Sequence, residues 1–148
     1  MNYSEVKPNE CECFECMAEV YNLFAVFNAP SNVIFVDQFI SNIDKFKDVF
    51  KRYFKSENIF FSCKSNKSIA LLSYSAKNNC GIEVSSNYEL EKALKNTNKI
   101  IASGPGKEKI YLNNAINNDV IISVDDIAEL NEIKKINKPT KVLLRLSD

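Results

Sequence analysis

Ile59-Phe60-Phe61-Ser62-Cys63-Lys64-Ser65-Asn66 is a short apolar and aromatic run that stops at one lysine and one asparagine. Such a run reads as a β-strand that delivers an amine at its carboxyl end. Residues 81–86, 99–106 and 119–126 repeat the plan, apolar residues giving way to polar ones, and residues 141–148 close the chain with Arg145. Candidate strands therefore begin near Ile59, Gly81, Lys99, Asp119 and Lys141, and each interval of about twenty residues has room for one helix and two loops.

The intervals carry helical patterns at residues 68–79, 87–95, 107–117 and 126–136. Ser86 followed by Glu89 has the spacing of a capping box, and Ile127, Leu130, Ile133 and Ile136 form one apolar stripe. Strand and helix alternating at this spacing imply an α/β fold, a parallel sheet joined by right-handed crossovers. Two architectures answer to that, an open doubly wound sheet and a (β/α)8 TIM barrel. A dinucleotide-binding sheet wants Gly-x-Gly-x-x-Gly after its first strand, whereas Lys64-Ser65-Asn66-Lys67 stands there, and Gly104-Pro105-Gly106-Lys107 is not a Walker loop. Polar residues gathered at the carboxyl ends of strands are what a barrel uses for chemistry, so the reading is a partial (β/α)8 barrel. A full barrel takes about 250 residues, and a five-stranded part has two open edges. The chain of 148 residues is thus expected to be the front portion of a larger protein, or a truncated copy of one.

Upstream, residues 1–12 are polar, and Phe14, Met17, Tyr21 and Phe24 recur at helical spacing over residues 14–27. Asn28-Ala29-Pro30-Ser31 breaks that helix, and Val33-Ile34-Phe35-Val36 reads as a short strand ended by Asp37. Residues 43–55 place Ile43, Phe46, Phe50 and Tyr53 on one face of an amphipathic helix and charges on the rest. The expected organisation is an extension over residues 1–29, helical from about 14, and a barrel portion over residues 30–148.

Acidic and basic residues balance at 19 each, which gives no electrostatic case for nucleic acid or an anionic membrane as partner. No apolar run approaches the roughly 20 residues of a membrane span, and the acidic start lacks the basic region of a signal peptide. A soluble cytoplasmic protein is expected. The five cysteines read as reduced thiols, and with no histidine in the chain Cys11, Cys13 and Cys16 do not make up a closed zinc site; no metal is expected.

Side chains alternate along a strand, so Phe60, Ser62 and Lys64 share one face, Gly81, Glu83 and Ser85 the next, and Leu143 and Arg145 the last. Pointing inward, an amine, a carboxylate and a guanidinium would meet near one barrel mouth and suit an anionic ligand. Lys64 could then act as a nucleophilic amine toward a carbonyl cofactor. The same three residues could equally form a polar layer held by ion pairs.

Phe61-Ser62-Cys63-Lys64-Ser65-Asn66 resembles the aromatic-x-x-Lys-x-Asn segment of the pyridoxal-phosphate-dependent decarboxylases with the alanine-racemase-like barrel, among them the diaminopimelate, ornithine and arginine decarboxylases. Gly81-Ile82-Glu83-Val84-Ser85-Ser86 with Glu89-Leu90 resembles their Gly-x-Asp-x-x-Ser and the Glu-Leu after it. Residues 100–107 resemble the strand and turn ending in Asn-Pro-x-Lys or Gly-x-x-Lys, residues 120–130 the Val-Asp-Ser-x-x-Glu-Leu segment, and Leu144-Arg145-Leu146 the Leu-Arg-Ile. Asn28-Ala29-Pro30, the run after it and Asp37 resemble the opening segment, so the motifs follow in order from about Asn28 to the end.

The resemblance implies pyridoxal 5'-phosphate as cofactor, Lys64 as the lysine that forms the internal aldimine, and Glu83 and Arg145 beside the cofactor. Glu83 departs from the family's aspartate and Ser62 from its usual proline or alanine. The family's ring-stacking histidine, glycine-rich phosphate loop, pyridine-pairing glutamate, and second-domain cysteine and tyrosine have no match in these residues. The resemblance further implies an amino-acid substrate, basic amino acids above all, decarboxylation when the missing parts are supplied, and a homodimer or a complementing carboxyl-terminal chain as partner. Two other readings stand beside it: a non-catalytic truncated fragment or pseudoenzyme acting through a partner chain, and a pyridoxal-phosphate carrier or racemase on the same barrel.

Overall fold

The structure, a computed structural model, describes residues 33–55 and 58–146. The chain divides into two compact units, Met1–Asn42 and Ile43–Asp148. The helix expected over residues 14–27 lies outside the described residues, as do Cys11, Cys13 and Cys16. In the first unit Val33, Ile34 and Phe35 form no strand, and helix α1 (Val36–Tyr53) begins where the strand was expected to end. The correction has a physical source: four apolar residues in a row carry no period, and Asp37 falls in the first helical turn, where the exposed amides favour a negative charge.

The second unit holds the rest of α1 and a strict alternation of β1 (Phe60–Ser62), α2 (Ile69–Lys77), β2 (Gly81–Val84), α3 (Asn87–Leu94), β3 (Ile100–Ala102), α4 (Lys109–Asn117), β4 (Ile121–Val124), α5 (Ile127–Lys135) and β5 (Val142–Leu144). The apolar face of α1 is less covered than its period suggests. Ile43 is buried, whereas Phe46 and Tyr53 are exposed. Lys47 Nζ donates to the Asn78 carbonyl at the end of α2.

All five strands are parallel and pair in chain order, β1-β2-β3-β4-β5. A doubly wound sheet reverses its order at a switch point; this one does not. Ile82, Val84, Ile100, Ala102, Ile122 and Val124 project to one face and pack into a single core with Leu72, Leu90, Ala93, Leu112, Ile116 and Ile133 of the helices. All four helices between strands therefore cover the same face, as in a barrel wall. The opposite face carries Phe60, Ser62, Glu83, Ile101, Ile121 and Ser123, all half-buried. Gly81 is required there: a Cβ would stand 2.3 Å from a Phe60 ring carbon and 2.9 Å from the Lys99 carbonyl oxygen.

Candidate functional site

The carboxyl end of β1 turns at once. Ser65 donates to the Ser62 carbonyl through its amide at 3.1 Å and its hydroxyl at 2.7 Å, and Asn66 Oδ1 accepts from the Ser68 amide at 2.9 Å before α2 begins. Lys64 sits in that turn, beyond the pleat of β1, with its side chain exposed. Cys63 before it is buried and donates its amide to the Glu83 carbonyl at 2.9 Å. Burial first, then the negative charges of Glu89 and Glu83, push the Cys63 thiol up to about 11, so it stays protonated.

Glu83 stands on β2 directly across from Ser62. Ser103, just past β3, donates its hydroxyl to Glu83 Oε1 at 2.6 Å. Partial burial raises the Glu83 carboxyl, but hydrogen bonds from Ser103 and Ser62 and the positive charge of Lys64 outweigh it, and the group is held below its ordinary value of 4.5. Lys64 and Glu83 are thus within electrostatic reach of each other, and two hydroxyls hold the carboxylate ionised.

Behind this pair lies Glu89, buried at the start of α3. Its Oε2 accepts from the Ser85 amide at 2.8 Å and the Ser85 hydroxyl at 3.0 Å, while its own amide donates to Ser86 Oγ at 3.3 Å. The Ser86–Glu89 bond is the cap expected from the sequence, while the reciprocal bond from Glu89 reaches the Ser85 amide, one residue before the cap, rather than that of Ser86. The remaining oxygen, Oε1, forms a 3.0 Å ion pair with Lys67 from the β1 turn. Burial raises the Glu89 carboxyl, yet the hydrogen bonds from Ser85 and the ion pair with Lys67 prevail and hold it low. Tyr111 of α4 closes the end of β2, donating its buried hydroxyl to the Val84 carbonyl at 2.8 Å.

Arg145 belongs to a different cluster. It follows β5, at the opposite edge of the described sheet from β1, and its guanidinium lies 3.4 Å from Asp125 Oδ1. Asp125 Oδ2 in turn faces Lys107 Nζ at 3.6 Å. Lys107 is buried and donates to the Ser123 carbonyl at 2.6 Å and to Glu129 Oε1 at 2.8 Å. Glu129 caps α5 as Glu89 caps α3, with its amide donating to Asp126 Oδ1 at 2.8 Å and its Oε2 accepting from the Asp125 amide at 3.0 Å. The three side chains expected to meet therefore divide, Lys64 with Glu83 and Arg145 with Asp125.

Sequence reasoning overlooked Ser103, Lys67 and the Lys107 cluster. A usable signal existed for the lysines, since each precedes by 22 residues a Glu-Leu at a helix start. Among the described residues no group of three or more metal-ligating side chains is gathered, and no helix is long and apolar enough to cross a membrane.

The family profile described as "pyridoxal-dependent decarboxylase, pyridoxal binding domain" matches residues 36–148. A diaminopimelate decarboxylase of Campylobacter jejuni is 30% identical over 125 residues, 82% of this chain and 31% of that protein. An uncharacterized protein of Sinorhizobium fredii is 28% identical over 117 residues, 77% of this chain and 26% of its own length. Among solved structures, the diaminopimelate decarboxylase of M. jannaschii superposes with a TM-score of 0.76 at 28% identity, over 84% of this chain and 32% of that one. The chain thus spans between a quarter and a third of the length of these relatives. It belongs to the pyridoxal-dependent decarboxylase family, and its alternating sheet and helices are the amino-terminal portion of that family's pyridoxal-binding barrel domain.

Proposed function

We propose that this chain supplies the cofactor-anchoring portion of a pyridoxal-phosphate-dependent amino-acid decarboxylase, and that Lys64 is the residue to which the cofactor is covalently attached. The observation that carries the reading is the placement of Lys64. It presents an exposed amine at the carboxyl end of β1, where a barrel assembles its chemistry, and among the described residues it makes no hydrogen bond or ion pair that would occupy it. An accessible, unoccupied primary amine fits the aldehyde of pyridoxal phosphate. Glu83, anionic between two hydroxyls, is assigned to orient Lys64 electrostatically. Arg145 is assigned to the cofactor's surroundings on its family position; its 3.4 Å contact with Asp125 leaves guanidinium donors over for an anionic group.

Pyridoxal phosphate, when bound, supplies the electron sink that accepts the charge left behind as carbon dioxide departs. The chain's own contribution is to present the amine, keep a carboxylate beside it, and hold both against the barrel wall. The substrate is assigned as an amino acid of the diaminopimelate or basic class; the M. jannaschii relative is recorded in complex with L-lysine. We assign the barrel portion to residues 30–148, activity to this portion as part of a complete protein or completed by a carboxyl-terminal chain, with sites shared in a homodimer, and the compartment to the cytoplasm, where free thiols such as Cys63 and Cys80 persist. A second reading, a non-catalytic chain that engages a partner through strand edges, draws on the exposure of Val142, Leu143 and Leu144 along β5.

Incubation with pyridoxal phosphate, borohydride reduction and peptide mapping test the anchor. Stoichiometric label on Lys64, lost in Lys64→Ala, is the expected result. Label retained elsewhere in that variant would sink the assignment. Mixing with the carboxyl-terminal part of a family member separates the two readings, since only the enzyme should yield carbon dioxide.

A further inference from the structure

Two copies of one arrangement lie forty residues apart. Lys67 and Lys107, Ser85 and Asp125, Ser86 and Asp126, and Glu89 and Glu129 occupy matching places. The chain enters β2 and β4 through matching left-handed residues, Asn79 at φ 52° and Asp119 at φ 56°. In each copy a lysine from the loop after one strand reaches a buried glutamate that caps the helix after the next strand.

The copies differ in two respects. Among the described residues the Lys107 side chain is 1% exposed and meets three acceptor residues, whereas the Lys67 side chain is 65% exposed and meets Glu89 alone. The loop of the first copy carries Lys64, while Gly104 stands in the matching place of the second. A buried amine with three acceptors holds the fold together. An exposed amine with one acceptor contributes little to global stability, so its consequence is local geometry.

That geometry concerns Lys64. On its upstream side the backbone is tied to β2 through Cys63. On its downstream side the ties of Ser65 and Asn66 are local, and Lys67 makes the side-chain link to another element, through Glu89 to Ser85, two residues past Glu83. Resting on the assignment of Lys64 as the cofactor anchor, we propose that Lys67 is a positioning residue: its ion pair with Glu89 fixes the turn that carries Lys64 relative to Glu83, and so sets where the Lys64 amine meets the cofactor aldehyde.

The full chain is labelled with pyridoxal phosphate and borohydride, the rate of label at each lysine is read by mass spectrometry, and thermal melting is recorded on the same samples. Lys67→Met should slow labelling of Lys64 by roughly ten-fold, in the range expected for small misplacement of a reacting group. Its melting midpoint should fall much less than that of Lys107→Met, because only the glutamate of the Lys67 pair is buried, and Lys67→Arg, which keeps the charge and the reach, should recover the rate. Unchanged Lys64 labelling in Lys67→Met, or no recovery in Lys67→Arg, overturns the inference. So does a Lys67→Met chain that fails to fold, because the residue would then be structural. An unaltered chain with no label on Lys64 removes the anchor assignment and the inference with it, whereas Lys64 label indifferent to Lys67 removes the inference alone.

Discussion

Ser103 Oγ lies 2.6 Å from Glu83 Oε1, joining the end of β3 to the carboxylate of β2 that faces Lys64. The bond does more than link strands. With the Ser62 hydroxyl and the Lys64 charge it overrides the burial that would otherwise raise the Glu83 carboxyl.

Replacing Ser103 by alanine should therefore move the Glu83 carboxyl upward and cost about 1 kcal/mol, the usual net worth of one such bond. Carboxyl-detected NMR titration reads the first effect and urea denaturation the second. In the unaltered chain Glu83 and Glu89 are both held below their ordinary 4.5, so the folded state binds fewer protons than the unfolded one in the acid range. Their stabilisation is complete above the unfolded value and is lost as pH falls through the lower folded values. Ser103→Ala, by bringing the folded Glu83 value nearer the unfolded one, should make this acid loss smaller and end it at higher pH; an unchanged acid limb would argue against the Ser103–Glu83 bond.

Lys107→Met leaves the Glu129 and Asp125 carboxylates facing one another without the buried amine between them. Removing one partner of a buried ion pair typically costs about 3–5 kcal/mol. The variant should unfold at markedly lower urea. A loss below about 1 kcal/mol, the surface-pair range, would show that Lys107 is hydrated in solution.

Gly81→Ala places a methyl where the Phe60 ring and the Lys99 carbonyl oxygen already stand. The ring can swing but the carbonyl, just before β3, is held by its hydrogen bond from the Ile82 amide, so a loss of roughly 1–3 kcal/mol is expected from overpacking. Calorimetric melting checks it, and Phe60→Ala in the same chain should recover part of the loss if the ring is the obstacle.

Ser75 is fully buried in α2, and its hydroxyl has no hydrogen-bond partner among the described residues. Ala115 holds the matching place forty residues on, equally buried. Ser75→Ala removes an uncompensated polar group at nearly constant volume and should be neutral or stabilising by up to about 1 kcal/mol. A loss in the melt would reveal a hidden partner for the hydroxyl.

The alternation of strands and helices was legible residue by residue, because apolar period, caps and turn residues are properties of neighbours in the chain. The Ser86–Glu89 capping box could be read this way, and so could the ends of β1 and β2 that present Lys64 and Glu83. The run at Val33–Val36 was misread for the same reason: four apolar residues fit a strand or a helix, and the residues after Asp37 decide between them. Tertiary structure alone decided which charges meet. That Glu89 finds Lys67 rather than Lys64 depends on how the turn after β1 folds, and whether Arg145 faces Glu83 or Asp125 depends on strand order; the ion pairs form across space between residues some twenty positions apart. Strand order and the one-sided placement of the helices come from burying six apolar side chains on a single sheet face, a collective property that no short stretch of sequence contains.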